Sequence, residues 1–312
     1  MKKLVVASTP HLKKNGLLHE YSAFCSWEKM GGQVTSHHYP IRMFHGILYR
    51  FLFPHLPHNP KEARLKFMAG GSSFFQAYPD YLRYEIIPLY WDCWPIHQQK
   101  VETLLEKSDV KTAIFTSSQV AELMHEKYPH MNILAITEGI DVKLYNRGKK
   151  LEERDIDIIE FGRQSKYLKN CTFPDNISYI HSTNGKRMFA NNADFFGALS
   201  NSKITIALPR SMTNPEMAGS IETLTQRYWE NMLSRIVMVG KAPKELIDCV
   251  GYNPVIDIDD TDVQGQIENI LTNISKYQVL VDKNRQAALE RASWDIRINK
   301  IRDFLTSCGY IV

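Results

Sequence analysis

The sequence predicts an α/β chain of two doubly wound halves facing a common cleft. Three observations carry that expectation. Short apolar runs alternate with helical patterns along the chain, the βαβ rhythm of a parallel sheet covered on both faces. An almost wholly polar stretch at 146–155 (NRGKKLEERD) interrupts the rhythm, which then restarts. The chain has 312 residues, 44% of them hydrophobic and 23% charged, enough for two cores. The halves are read as 1–148 and 149–312, with the last helix left able to pack back on the first.

In the first half, Leu4–Ala7 reads as a strand. Leu17, Tyr21, Phe24 and Trp27 then recur on one helical face. Gly31-Gly32 stops that helix, and Gln33-Val34-Thr35 resumes extended structure. Ile86–Tyr90 and Thr112–Thr116 are further strands. Ser117 or Ser118 can cap a helix at Val120–Tyr128. Asn132–Ile136 is a strand ending in the turn Glu138-Gly139-Ile140-Asp141. In the second half, Ile156–Phe161, Ile177–His181, Ile204–Leu208 and Arg235–Val239 read as strands, with a fifth at Pro254–Ile258. Trp294, Ile298, Ile301 and Leu305 mark the final helix.

Charge is uneven. Residues 1–150 hold 19 Lys+Arg against 13 Asp+Glu, whereas residues 151–312 hold 19 against 21. Ten of the eleven histidines also lie in the first half. A basic half suits an anionic partner, and ordinary surface variation gives the same count. Five scattered cysteines without a C-x-x-C pair fit a reducing, cytoplasmic compartment. No apolar run approaches the ~18 residues of a spanning helix. Neither G-x-G-x-x-G nor a P-loop occurs, which disfavours dinucleotide dehydrogenases and NTPases.

The chemistry concentrates in Glu222-Thr-Leu-Thr-Gln-Arg-Tyr-Trp-Glu230, two glutamates separated by seven residues before a helix and the strand after it. Thr223 or Thr225 can cap that helix, whose first amides can then receive a diphosphate. Glu230 can accept bonds from sugar hydroxyls. On spacing alone the stretch reads first as an exposed helix with two solvated acids.

This stretch resembles the E-x7-E signature of GT-B glycosyltransferases, family 4 in particular. Asn15-Gly16 before the first helix, Gly31-Gly32 and Gln33-Val34-Thr35 are similar to that family's first β-α-β segment. Glu138–Asp141 resembles its N-G-V-D turn, Ile158–Arg163 its G-R strand, and Ser293-Trp294-Asp295 the opening of its last helix. The resemblance covers nearly the whole chain and implies two Rossmann-like domains, an N-terminal one for the acceptor and a C-terminal one for the donor.

The resemblance also implies roles. Arg163, with Lys166 or Lys169, binds the donor diphosphate and stabilises the leaving group's charge. The family's lysine lies nearer five residues after the arginine; here the offsets are three and six. Glu222 orients the donor sugar, Glu230 holds the ribose, and Thr225 stands where the family usually has glycine. Arg227 can add phosphate charge. Where the family often has a His-Asp pair, this chain has Trp91-Asp92. Asp92 can activate an acceptor hydroxyl, or serve as a turn residue before Trp94-Pro95. His97, His11, Asn15 and Gly16 complete the acceptor cleft.

No cofactor is implied beyond a nucleotide-diphosphate sugar as substrate. Asp155-Ile-Asp157 and Asp257-Ile-Asp259 match the D-x-D metal signature but read as strand-end acids, so transfer is expected to need no metal. His37, His38, His45, His55 and His58 lack zinc-site spacing. Residues 39–54 mix aromatic and aliphatic side chains with Arg42 and Arg50. They suit either an anionic membrane surface, peripheral to the cytoplasm, or a buried helix. The small charge excess and the lack of a recognition motif point away from nucleic acid. The expected activity is sugar transfer to a glycan or lipid-linked glycan, in surface polysaccharide or glycoconjugate synthesis. The alternatives are a nucleotide-sugar 2-epimerase of the same fold and a non-catalytic carbohydrate-binding subunit.

Overall fold

A computed structural model describes residues 1–8, 18–36, 57–72, 76–162, 165–182 and 188–312. They form two compact units. The first is Met1–Gly139, Glu216–Thr223 and Trp294–Val312; the second is Ile140–Pro215 and Leu224–Ser293. The chain thus changes unit at Gly139/Ile140, ahead of the polar stretch read as the linker. Glu216–Thr223, counted in the second half by the reading at 148/149, belongs to the first unit, as does Trp294–Val312, whose helix that reading left able to pack back on it.

The strands of the first unit begin with β1 (Lys2–Ser8), β2 (Gln33–Ser36), β3 (Glu62–Ala69), β4 (Glu85–Trp91), β5 (Thr112–Phe115) and β6 (Asn132–Ala135). The second unit holds β7 (Ile156–Glu160), β8 (Tyr179–His181), β9 (Ser202–Ala207), β10 (Val237–Gly240) and β11 (Ile256–Asp257). β12 (Tyr310–Ile311) returns to the first. Both sheets are parallel. Their orders are β12-β1-β3-β4-β5-β6, with β2 also beside β1, and β11-β10-β9-β7-β8.

The central strand β3 is one that hydrophobic periodicity does not reveal. Its sequence EARLKFMA carries three charged residues, yet Arg64 and Lys66 are buried. Asp80, only 1% exposed, makes this tolerable. Lys66 Nζ lies 2.7 Å from Asp80 Oδ2, and Arg64 Nε lies 3.5 Å from Oδ1. Arg64 also meets Glu62 at 3.0 Å and stacks 3.7 Å from the Tyr84 ring centroid. Buried charges persist only when paired in this way.

Elsewhere in the first unit local signals hold. Ser117 Oγ accepts from Val120 N and caps the helix Ser118–Lys127. Trp294–Ser307 packs with Leu18–Lys29 and β1, burying Trp294, Ile298, Ile301 and Leu305 with Phe24, Trp27, Leu4 and Val6. In the second unit the helix Gln226–Leu233 and β10 are buried almost throughout and form the core with Leu224, Ile236 and Leu246. No helix among the described residues is long and apolar enough to cross a membrane.

Candidate functional site

Ligands of parallel sheets bind beyond the carboxyl ends of their strands, and each unit is built up there. In the second unit, β7 runs out through Phe161 into Gly162. That glycine has φ +83°, and a Cβ on it would sit 2.2 Å from Nη2 of Arg227. The positive φ favours glycine, and any side chain there would push the guanidinium aside; the guanidinium also stands 5.2 Å from the Phe161 ring centroid.

Arg227 lies in the first turn of Gln226–Leu233, whose N-cap is Thr225. The Thr225 side chain makes no capping bond. The helix is fixed by burial of Tyr228, Trp229, Met232 and Leu233, by Tyr228 Oη donating to the Lys241 carbonyl at 2.7 Å, and by Leu224 N donating to Glu245 at 2.7 Å.

One turn beyond Arg227, Glu230 is 8% exposed and accepts the Tyr145 hydroxyl on Oε1 at 3.0 Å. Burial raises its carboxyl above the usual range, against the opposing pull of the Tyr145 bond and the Arg227 charge. Tyr145 is itself held, since its carbonyl accepts from Arg285 at 3.4 Å.

Glu160, at the end of β7, went unassigned in the sequence. It is 3% exposed and accepts from Ser165 N at 2.6 Å and Tyr179 Oη at 2.7 Å. A glutamate closing the strand after Ile158 and Ile159 was the available signal. Lys166 and Lys169 lie exposed on the single turn Lys166–Lys169, capped by Ser165. Arg163 lies outside the described residues, as do His11, Asn15, Gly16 and the stretch 39–54.

In the first unit, β4 ends at Asp92, an exposed residue held at φ +52°. Its Oδ1 accepts from the Trp94 indole at 2.9 Å, and its carbonyl accepts from Trp94 N at 2.8 Å, so the aspartate does shape a turn. It also lines a small pocket with Tyr90, Cys93, Trp94, Thr116 and Thr223. Burial, then the charge of Asp92, push the Cys93 thiol well up. His97, half-buried, lies with its ring against Gly71, where a Cβ would be 3.2 Å from the imidazole.

The two glutamates of the E-x7-E spacing fall in different units. Glu222 N donates to Gln119 Oε1 at 2.7 Å and Thr223 Oγ1 to the Thr116 carbonyl at 3.2 Å. Thr223 therefore walls the first unit's pocket and does not cap the Gln226 helix. Asp92 and Thr223 are brought together in one pocket; Thr225, Arg227 and Glu230 are brought together on one helix.

The D-x-D acids are engaged locally. Asp157 pairs with Lys203 at 2.7 Å and accepts from Ser178 N, and Asp155 accepts from Asn201. Asp259 accepts from Thr261, and Asp257 from Asn253. No cluster among the described residues could hold a metal ion.

No family model and no curated protein matches the sequence. Solved structures do match. Anabaena Alr3699/HepE, in complex with UDP and glucose, is similar at a TM-score of 0.62 and 10% identity, over 98% of this chain and 100% of that one. A sucrose-phosphate synthase of Thermosynechococcus elongatus matches at 0.62 and 10%, over 99% and 100%. AviGT4, a glycosyltransferase involved in avilamycin A biosynthesis, matches at 0.52 and 11%, over 97% of each. At such identities the likeness is one of fold, and the fold is that of GT-B glycosyltransferases.

Proposed function

We propose that this chain is a glycosyltransferase that moves a sugar from a nucleoside-diphosphate sugar to a glycan or lipid-linked glycan. The observation that carries this reading is the placement of Arg227 beside Phe161 at the end of β7, with Glu230 on the same helix one turn on, within a GT-B fold. HepE structures hold UDP and UDP-glucose, which makes a uridine nucleotide the first donor to test.

The second unit takes the donor. Arg227 and the first amides of its helix receive the diphosphate, with Lys166, Lys169 and Arg163 adding charge. These groups stabilise the negative charge that grows on the leaving nucleotide as the glycosidic bond to phosphate breaks. Basic side chains would then do the work of a divalent cation, and the transfer would need no metal. Glu230 accepts from the ribose hydroxyls, and Thr225 shapes the loop before the helix.

The first unit takes the acceptor. Asp92, exposed at the pocket rim, removes the acceptor hydroxyl's proton, while His97, His11, Asn15 and Gly16 bound the acceptor side. Glu222, beside Thr223, is offered to the sugar in transit. Residues 39–54 would hold the protein to the cytoplasmic face of an anionic membrane, placing it in surface polysaccharide or glycoconjugate synthesis.

A thermal-shift screen against nucleotide sugars tests the reading, because a ligand stabilises the state it binds. Stabilisation by one nucleotide sugar, followed by its consumption only when a glycan acceptor is added, is the expected result. Conversion of the donor to an epimer without acceptor would replace transferase by epimerase. No shift with any donor would reject both.

A further inference from the structure

Residues 145–150 belong to no helix or strand, yet the carbonyls of this segment are bonded by arginines. Arg154 donates to the carbonyls of Arg147 and Lys149 at 3.2 Å each. Arg235 donates to Arg147 at 3.5 Å and to Gly148 and Lys149 at 3.4 Å. Arg285, on the helix Gln278–Arg291, donates to the Tyr145 carbonyl at 3.4 Å from both Nη1 and Nη2.

Two of these arginines stand where placing them is unfavourable. Arg235 has φ +57°, the left-handed backbone that glycine adopts most easily after a helix. Arg285 is half-buried, and burial, then the charges of Arg147 and Arg235, disfavour its cation. The bonds to carbonyls offset that cost.

Arg285 reaches further than the other two. Its Nη1 also donates to the carbonyl of Leu233, the last residue of the helix that carries Arg227 and Glu230. One guanidinium thus joins the end of Glu230's helix to Tyr145, the residue whose hydroxyl is bonded to Glu230.

We propose that Arg285 is a positioning residue for donor binding. It sets Tyr145 against the helix Gln226–Leu233 and so fixes the Glu230 carboxylate for the ribose diol. The proposal rests on the reading of Glu230 as the acceptor of the ribose hydroxyls. The planar fork of a guanidinium suits a bridge between two carbonyls, whereas an ammonium is a point charge on a flexible stem.

The test titrates UDP, ADP and GDP into wild type by calorimetry. The best bound is then compared with its 2′,3′-dideoxy form, which keeps the base and diphosphate but lacks the diol. Wild type is expected to prefer the diol form roughly tenfold or more, the worth of a hydrogen bond to a carboxylate. Arg285→Met and Arg285→Lys are expected to bind the dideoxy form as wild type does. Their preference for the diol form should fall to about threefold or less. A purely structural role would weaken both ligands together. Equal weakening of both ligands, or the wild-type preference kept in both variants, overturns the proposal and leaves the donor reading standing. Arg285→Lys keeps the charge and decides alone if Arg285→Met does not fold. Failure of both to fold makes Arg285 a residue of stability and also overturns the proposal. A wild-type chain that binds no nucleoside diphosphate ends the donor reading, and one without preference for the diol ends the ribose role of Glu230. The proposal falls with either.

Discussion

Tyr145 donates its hydroxyl hydrogen to Oε1 of Glu230 at 3.0 Å, and both residues are buried. The bond, with the charge of Arg227, opposes the desolvation of this carboxylate. Removing it with Tyr145→Phe leaves a buried acceptor short of a donor, a cost of about 1–3 kcal/mol. The denaturation midpoint of Tyr145→Phe should fall accordingly, and nucleotide affinity should fall with it. An unchanged midpoint would mean that the two groups do not support each other.

The raised carboxyl of Glu230 has a sign that can be checked. A folded-state pKa above the unfolded value means that the native state holds the proton more tightly. This group's contribution to stability is greatest below the unfolded pKa and is lost as pH rises through the folded one. Glu230→Gln should therefore gain stability relative to wild type on going from acid to neutral pH. Nucleotide binding behaves oppositely. It should weaken on acidification with a midpoint above that of an ordinary glutamate, and Glu230→Gln should abolish the dependence. Parallel pH profiles for wild type and variant would contradict both.

Gly162 is a position where one methyl group is informative. Its φ of +83° disfavours any side chain, and a Cβ would collide with the Arg227 guanidinium at 2.2 Å. Gly162→Ala should displace Arg227 and weaken diphosphate binding by roughly tenfold, the loss of about one charge-assisted hydrogen bond. Calorimetric titration with UDP and with uridine separates the effect: only the diphosphate should suffer.

The buried ion pair of the first unit predicts stability rather than binding. Asp80→Ala removes the buried carboxylate that faces Lys66 and Arg64 and should cost about 3–5 kcal/mol. Asp80→Leu combined with Lys66→Met should recover much of that loss. Urea denaturation of the single and double variants measures both. A single variant as stable as wild type would show that the pair does not hold β3 in place.

These cases mark what was legible in the sequence. The α/β class and the parallel strands β1, β4, β5, β7, β9 and β10 follow from apolar runs and turn residues, and the structure contains them. β3 was not legible, because its Arg64 and Lys66 are neutralised by an aspartate fourteen residues beyond Lys66 in sequence. β12 is two residues long and is defined by its pairing with β1, a partner three hundred residues away in sequence. Of the candidate site, Glu230 and Arg227 were singled out through the E-x7-E resemblance, and both lie on the helix Gln226–Leu233. Tyr145 beside Glu230 and Gly162 beside Arg227 act through contacts between distant elements, which spacing does not encode. The division of Glu222 from Glu230 was hidden for the same reason: within 216–223, Ala218 and Ile221 are buried in the first unit's core.

The central claim is that Arg227 and Glu230 hold a nucleoside-diphosphate sugar. It is tested most directly by titrating UDP-glucose and the other common nucleotide sugars into wild type, Arg227→Ala and Glu230→Ala by calorimetry. The account predicts saturable one-to-one binding of at least one donor to wild type, weakened roughly ten- to a thousand-fold in each variant. Wild-type affinity retained in both variants would contradict it.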